Sequence, residues 1–384
     1  MALTQIKIRR DSAADFQSAN PTLAAGEFAY ETDTEKMKVG DGSTAYNSLQ
    51  FIDGDSAVAL SKGYAAGGVT PSAVDTINSF EFASSGNATD AGDLIGWMRY
   101  ATGHSDSSHG YVSGGALDPS HPNGSPSTTN ISRFSFGSSV SSSDVGTLAV
   151  DCWLATGTES PTAGVTSLGV DPNTPNPSGK NEAIQYFPFA SSTTTTNLGD
   201  MPRGADGQAG LSATDYGYVV GVVPKVPFGA SIFRFQRHSF AAANGSLMPL
   251  SLSPARSVMT GTQSSTTGYL SGGRQYSPAP FPSPFMTSGN YVNEITKVPF
   301  ASATITSSSD GGDLAVENAH GTAGHEDGDN HGYISGGQLA SPPSPPLSYT
   351  KKNTIQRFPF ANDNNGTDVG DLTTTLEYHT GHEG

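Results

Sequence analysis

Gly110-Tyr111-Val112-Ser113-Gly114-Gly115 is the stretch on which the fold turns. Its Tyr-Val-Ser run suits a strand, and the glycine pair behind it permits close backbone approaches that a side chain would block. The same word stands at Gly63-Tyr64-Ala65-Ala66-Gly67-Gly68, Gly268-Tyr269-Leu270-Ser271-Gly272-Gly273 and Gly332-Tyr333-Ile334-Ser335-Gly336-Gly337, with degraded copies starting at Gly164 and Gly217. Successive starts are 47, 54, 53, 51 and 64 residues apart. A second word follows each first one, an aromatic pair at strand spacing: Phe80/Phe82, Phe134/Phe136, Phe187/Phe189, Phe233/Phe235, Val298/Phe300 and Phe358/Phe360. A third word is Gly-Asp-Leu or a relative, beginning at Gly92, Gly146, Gly199, Gly245, Gly312 and Gly370. From the second aromatic to that glycine the offset is 10 residues in five repeats and 12 in the other. A fixed offset within divergent segments is a register constraint, as paired strands impose. Ile131-Ser132-Arg133-Phe134-Ser135-Phe136 alternates with period two, as a half-buried strand does. A further strand is expected through Gly146–Thr156, carrying Leu148, Val150 and Trp153. The aromatics read as packing between repeats, not as a platform for bases.

Six repeats with three or four short strands each point to a β-propeller of six blades. The glycine pair followed by an aromatic strand resembles the kelch-type repeat over residues 63–384, with one departure: Gly-Asp-Leu stands where kelch repeats carry Trp. The last copy stops at Gly381-His382-Glu383-Gly384, one strand short, and the segment at Gly63 is expected to complete that blade and close the ring. Closure removes the free edges of an open repeat array.

Composition agrees. Of 384 residues, 46 are Gly and 25 Pro, while only 14% are charged, so the polarity comes from Ser, Thr and Asn. That suits an all-β chain rich in turns. No apolar run reaches the roughly 18 residues of a spanning helix, so no membrane insertion is expected. Met1–Gln5 begins no secretion-signal core. Cys152 is the single cysteine, which excludes an internal disulfide. A net charge of −16 argues against a nucleic-acid partner, which would require a basic stripe.

Residues 1–52 belong to no repeat. Alternation is clear in Ile6/Ile8, Phe28/Tyr30 and Met37/Val39; Asp33-Thr34-Glu35 reads as a hairpin loop and Gly40-Asp41-Gly42 as a turn. Arg9-Arg10-Asp11, Asn20-Pro21-Thr22-Leu23-Ala24-Ala25-Gly26-Glu27, Glu31-Thr32-Asp33-Thr34 and Gly40-Asp41-Gly42-Ser43-Thr44 follow in order. Together they closely resemble the N-terminal module of phage receptor-binding and tail-fibre proteins of the major tropism determinant kind. The resemblance implies a small β-prism that trimerises and fixes a distal binding domain to the virion. The expected organisation is therefore all-β: a β-prism-like attachment and trimerisation module at 1–52, a linker at 53–62, and a six-bladed kelch-like β-propeller at 63–384. Fifty residues bury little apolar surface alone, which also favours an oligomer.

The function expected is that of a phage virion structural appendage, a tail fibre or receptor-binding protein. It would be a homotrimer that meets other virion proteins through residues 1–52 and a host glycan or receptor through the propeller. Its place would be the virion, after assembly in the host cytoplasm. The alternatives are a capsid or tail decoration protein with a spacer propeller, and a polysaccharide depolymerase. No catalytic constellation, metal site or cofactor is expected. No Gly-x-Ser-x-Gly or His-Glu-x-x-His motif is present. Asp93, Asp200, Asp313 and Asp371 share one repeat position, which speaks for turns. The His325–His331 and Asn362–Asp368 stretches carry oxygen ligands at alternate positions but lack the closing bidentate Glu of a helix–loop–helix calcium site. Insertions fall at one repeat position, as Ala116–Asn130, Val170–Ala183, Arg274–Asn293 and Gln338–Asn353, which puts them on one face of a propeller. Their aromatic residues Tyr276, Phe281, Phe285, Tyr291 and Tyr349, among many Ser and Asn, are the expected glycan contacts.

Overall fold

The structure is a computed structural model that describes residues 8–34, 36–49, 62–117, 127–137, 140–170, 182–189, 193–202, 208–220, 234–241, 244–252, 256–275, 290–300, 307–316, 320–340 and 349–384. The chain divides into two compact units, Met1–Ala59 and Leu60–Gly384. Of the expected linker, only Lys62 falls among the described residues, and it opens a blade strand.

In the first unit, Arg9–Asp11 pairs in parallel with Phe28–Glu31, which forms a hairpin with Met37–Val39. A short helix, Ala13–Ala19, crosses between the parallel strands, capped by the Ser12 hydroxyl on the Asp15 N–H. Phe16, Leu23, Ala29 and Tyr46 form the core, with Phe16 and Tyr46 stacked at 4.6 Å. The recurrent motif residues hold this small core together. Glu31 is buried and accepts from the Tyr46 and Thr34 hydroxyls. Glu27 pairs with Arg9 at 2.9 Å, and Asp33 accepts from the Ala13 N–H. Asp41 accepts from the Thr44 hydroxyl and from the Thr44 and Ser43 N–H groups, which together hold its carboxyl well below the usual range. The other face of the sheet sets Phe28 beside Val39 and Tyr30 beside Met37. These four are half-exposed or exposed, Phe28 at 41%.

The second unit is a ring of six four-stranded antiparallel blades. From the inside out, the second blade runs Thr102–Ser105, His109–Ser113, Asn130–Ser135 and Ser143–Thr147. The inner strands Thr102–Ser105, Thr156–Ser160, Ala209–Ser212, Thr260–Gln263, His320–Glu326 and Thr380–Glu383 neighbour one another in a closed cycle about the axis. The ring shuts where Thr380–Glu383 pairs with Lys62–Ala66, His382 lying opposite Tyr64. The inner strand of the first blade thus comes from the far end of the propeller sequence.

The first two words are two halves of one joint. Gly110 lies opposite Phe134, and a Cβ on it would sit 2.4 Å from the Phe134 ring, so the glycine lets the ring lie flat across the strand. Tyr111, one residue on, reaches into the next blade, stacks on Phe189 at 4.6 Å and donates to its carbonyl at 2.9 Å. Tyr64 meets Phe136, Tyr218 meets Phe300, Tyr269 meets Phe360 and Tyr333 meets Phe82 in the same way, the last across the closure. Offset-stacked pairs of this kind add about 0.5–1.5 kcal/mol each beyond their buried area. The third word marks a register shift in the outer strand of every blade. At Gly92, Val140–Ser141 from the next blade runs alongside and strengthens the outer edge.

Two expectations need correction. In the fourth repeat the aromatic pair is His238/Phe240, not Phe233/Phe235: Gly217 lies opposite His238, and the two rings meet edge to face as Phe134 and Phe136 do. The outer-strand word there is Leu250-Ser251-Leu252, since Ser251 pairs at the register shift where Asp313 does in the fifth blade. The strand expected through Gly146–Thr156 ends at Thr147, and the next begins at Thr156. Leu148 and Cys152 are buried in the connector between two blades, which has apolar content without ladder pairing.

Candidate functional site

The strand directions give the ring two dissimilar faces. One face carries the connectors from each outer strand to the next inner strand, together with the roots of the insertions. The other carries the tight hairpins and the end of the axial channel.

On the insertion face, residues 94–101, 148–155 and 372–379 each bring one residue into the left-handed region just before the inner strand: Tyr100 at φ 59°, Leu154 at 54° and Tyr378 at 55°, with Val258 at 52° and Gly321 at 69° in equivalent places. Their backbones are linked from blade to blade, Tyr378 N–H to Gly321 O at 2.8 Å, Tyr100 N–H to Tyr378 O at 3.2 Å and Leu154 N–H to Tyr100 O at 3.0 Å. The Tyr100 ring lies 4.3 Å from Tyr378 and 5.4 Å from Trp153, tilted by 59° and 55°. All three rings are half-exposed. The Arg99 guanidinium is 5.3 Å from the Tyr100 ring centre. Glu377 is buried; one carboxyl oxygen holds Lys351 Nζ at 2.9 Å and the other has no partner. Burial raises the Tyr100 hydroxyl pKa; Arg99 opposes the shift and Glu377 adds to it.

The insertions begin as hairpins that grow from this face. Arg274–Gln275 pairs with both Arg256–Ser257 and Asn290–Tyr291, and Gln338–Ala340 pairs with Tyr349–Lys351. Of the expected glycan contacts, Tyr291 stands in the first hairpin, 5.8 Å from the Arg274 guanidinium, and Tyr349 opens the returning strand of the second. Tyr276, Phe281 and Phe285 lie outside the described residues.

At the other end of the axis, Gly103, Gly157, Gly210, Gly261, Gly324 and Gly381 form a ring, and the residues two further on form a second: Ser105, Glu159, Ser212, Gln263, Glu326 and Glu383. The backbone of one blade bonds the side chain of the next: Ser105 N–H to Glu159 at 2.7 Å, Glu159 N–H to Ser212 Oγ at 2.9 Å, Ser212 N–H to Gln263 at 3.1 Å and Glu383 N–H to Ser105 Oγ at 3.2 Å. The Gln263 amide donates to Glu326. Glu383, Glu326 and Glu159 lie close enough around the axis to act on one another electrostatically. Burial pushes Glu159 up to about 7 and Glu326 up to about 8, the latter helped by the Glu159 charge. Burial, with Glu326 and Glu159 behind it, also raises Glu383 well above the carboxylate range. These carboxyls line a cavity of about 90 Å3. That is far below the roughly 300–1,000 Å3 of small-molecule sites, and a retaining glycosidase needs its two carboxyls about 5–5.5 Å apart around a bound sugar. The geometry supports proton sharing between blades.

The turns singled out as possible cation sites, and the turn at Asp106 that matches the one at Asp327, are occupied by their own chain. Asp106 accepts from Ser108 and His109 N–H and from the Tyr111 hydroxyl; Asp327 accepts from His331 N–H, with the Tyr333 hydroxyl 3.4 Å away. Asn365 and Asp368 bond backbone N–H groups of Asp313 and Gly370. No group of three or more His, Cys, Asp or Glu residues suited to a metal occurs among the described residues. His325 is buried between blades, bonded to His382 O and Ser335 Oγ.

Neither the aromatic connectors nor the axial carboxyls were singled out from sequence. A faint signal existed for the second, a Gly-x-Ser/Glu/Gln triplet before the words that start at Gly110, Gly164, Gly217, Gly268 and Gly332 and again at Gly381–Glu383.

Residues 6–44 match the family model of the major tropism determinant N-terminal domain. The solved structure of YjhT, a kelch-type propeller, aligns with a TM-score of 0.55 at 11% identity, covering 74% of this chain and 86% of that one. At that identity the likeness concerns the fold alone. No curated protein matches. The chain therefore joins an N-terminal stretch similar to a phage tropism-determinant domain to an all-β propeller.

Proposed function

We propose that this chain is a receptor-binding appendage of a phage virion, carried on the particle by its N-terminal unit and meeting a glycan on the host surface with the insertion face of its propeller. The observation that carries the reading is the tropism-determinant match over residues 6–44. Two features support it. The outer face of the N-terminal sheet sets the exposed Phe28 beside the partly buried Tyr30, Met37 and Val39, as a module that packs against copies of itself would. The chain would then be a homotrimer, with other virion proteins bound through the same unit. At the propeller, the insertion roots share one face, which is where repeat proteins commonly carry their binding loops. The acidic surface disfavours strongly anionic targets at low salt and suits neutral sugars. Binding without cleavage is the proposed activity.

The test is adsorption. Virions whose appendage has residues 276–289 and 341–348 replaced by tight turns should still assemble but no longer adsorb to host cells. Undiminished adsorption by both would take receptor binding away from these insertions. Release of new reducing ends from host polysaccharide would replace binding with depolymerisation.

A further inference from the structure

We propose that Tyr100, Trp153 and Tyr378, with Arg99 and Glu377 beside them, form a subsite that stacks against a pyranose ring of the surface glycan; this rests on the receptor-binding reading above and gives it a location. The first argument is backbone cost. The position before each inner strand lies in the left-handed region, which disfavours residues with a Cβ by roughly 1–2 kcal/mol. Gly321 serves the sixth blade there, so the blade connection itself requires no side chain. Two tyrosines nevertheless occupy this position, at 100 and 378. Leu154 and Val258 adopt the same conformation, so the strain belongs to the connector, and what distinguishes positions 100 and 378 is the ring that each carries there.

The second argument is asymmetry. The connectors are built alike, yet the aromatic rings gather on three successive ones, those leading into the first, second and third blades; Val258 and Gly321 stand in the equivalent places leading into the fifth and sixth. A scaffold of repeated parts thus has one side unlike the rest. The third is the chemistry of the rim. The rings are half-exposed and tilted rather than stacked face to face. Beside them the Arg99 guanidinium lies 5.3 Å from the Tyr100 ring centre, and the buried Glu377 carboxyl holds Lys351 Nζ at 2.9 Å. A pyranose offers an apolar face for the rings and hydroxyl oxygens to which the partly exposed Arg99 and Lys351 can donate.

The test exploits the strain. Tyr100→Gly and Tyr378→Gly remove the rings while suiting the backbone, so folding should be preserved. Trp97 and Trp153 are the only tryptophans, and both lie on these connectors, so intrinsic fluorescence reports on the site. Purified full-length protein is titrated with neutral polysaccharide extracted from the host envelope and, in parallel, tested for binding to host cells. The expected result is a fluorescence change on wild type and a loss of about tenfold or more in affinity, near 1.4 kcal/mol, in the double variant at unchanged melting temperature. Wild-type affinity in the double variant overturns the subsite and leaves the receptor-binding reading standing. Wild-type protein that binds neither cells nor glycan overturns both.

Discussion

Replacing Gly261 by Ala should strain the whole propeller. A Cβ at that position would lie 1.9 Å from the Gly210 carbonyl oxygen, against 3.4 Å for an ordinary van der Waals contact, so about 1.5 Å must be found. The obstacle is main chain in a neighbouring inner strand, which has no rotamer to change. The other axial glycines face the same constraint, each against the glycine carbonyl of the adjoining inner strand, at 2.0–2.6 Å. Because the inner strands neighbour one another in a closed cycle, separating one pair moves the others. Overpacking of a tight core costs about 1–3 kcal/mol and sometimes more, and a rigid ring belongs at the upper end. Gly86→Ala is the control, since a Cβ there meets nothing within 4 Å. Urea unfolding followed by tryptophan fluorescence reads only the propeller, where both tryptophans lie. With a slope near 3 kcal/mol/M, the upper value for small domains, a 3 kcal/mol loss lowers the midpoint by about 1 M. A Gly261→Ala midpoint equal to that of Gly86→Ala would refute the packing described for the axis.

Removing residues 380–384 takes away the strand that closes the first blade and leaves the Lys62–Ala66 edge bare; we expect soluble yield to collapse, and an unchanged melting temperature would show closure to be dispensable. Stability should peak close to pH 6.5. Burial holds His104, His379 and His382 down to about 3 and His238 and His325 down to about 4, so below their unfolded value of 6.5 only the unfolded chain takes up protons, and stability falls with pH by up to about 1.4 kcal/mol per unit for each. Glu159, Glu326 and Glu383 act oppositely: burial raises all three, so the folded state keeps their protons above 4.5 and stability declines as pH rises beyond it. A denaturation series that rises or falls steadily from pH 5 to 8.5 would contradict one of the two groups. Finally, Phe28→Asp combined with Met37→Asp should reduce the light-scattering mass from about three times 39.6 kDa to that of one chain, with propeller melting unaffected; a wild-type monomer would remove the proposed trimer.

The propeller was legible because its joints need matched parts. Gly110 and Phe134 are written as separate words, but each is required by the other, and so they persist together in divergent repeats. The fourth repeat misled for the same reason: His238 fills the place of Phe, and Phe233-Arg234-Phe235 imitates the motif five residues early. The inner strands escaped notice because they have no apolar alternation. One side faces the narrow axis with a glycine followed two residues on by Ser, Glu or Gln, and the other carries mostly His or Thr, as where His104 bonds Thr158 O of the next blade. The Pro-rich insertions stand out by composition, whereas the proposed subsite at Tyr100 and Tyr378 depends on a backbone conformation and a gathering of rings that a residue count does not register.

The closure at Thr380–Glu383 also sets a schedule. Lys62 and Glu383 are 321 residues apart, and at roughly 5–20 residues per second a ribosome needs about 15–65 s to travel between them. For all of that time the edge of Lys62–Ala66 has no partner, however well the intervening blades have formed. Pairings between such distant segments are slow to find one another even once made. The open edge is the moment at which a neighbouring nascent chain could donate its own last strand in place of the correct one. Expression at low temperature and low chain density should therefore favour the singly closed ring over strand-exchanged assemblies.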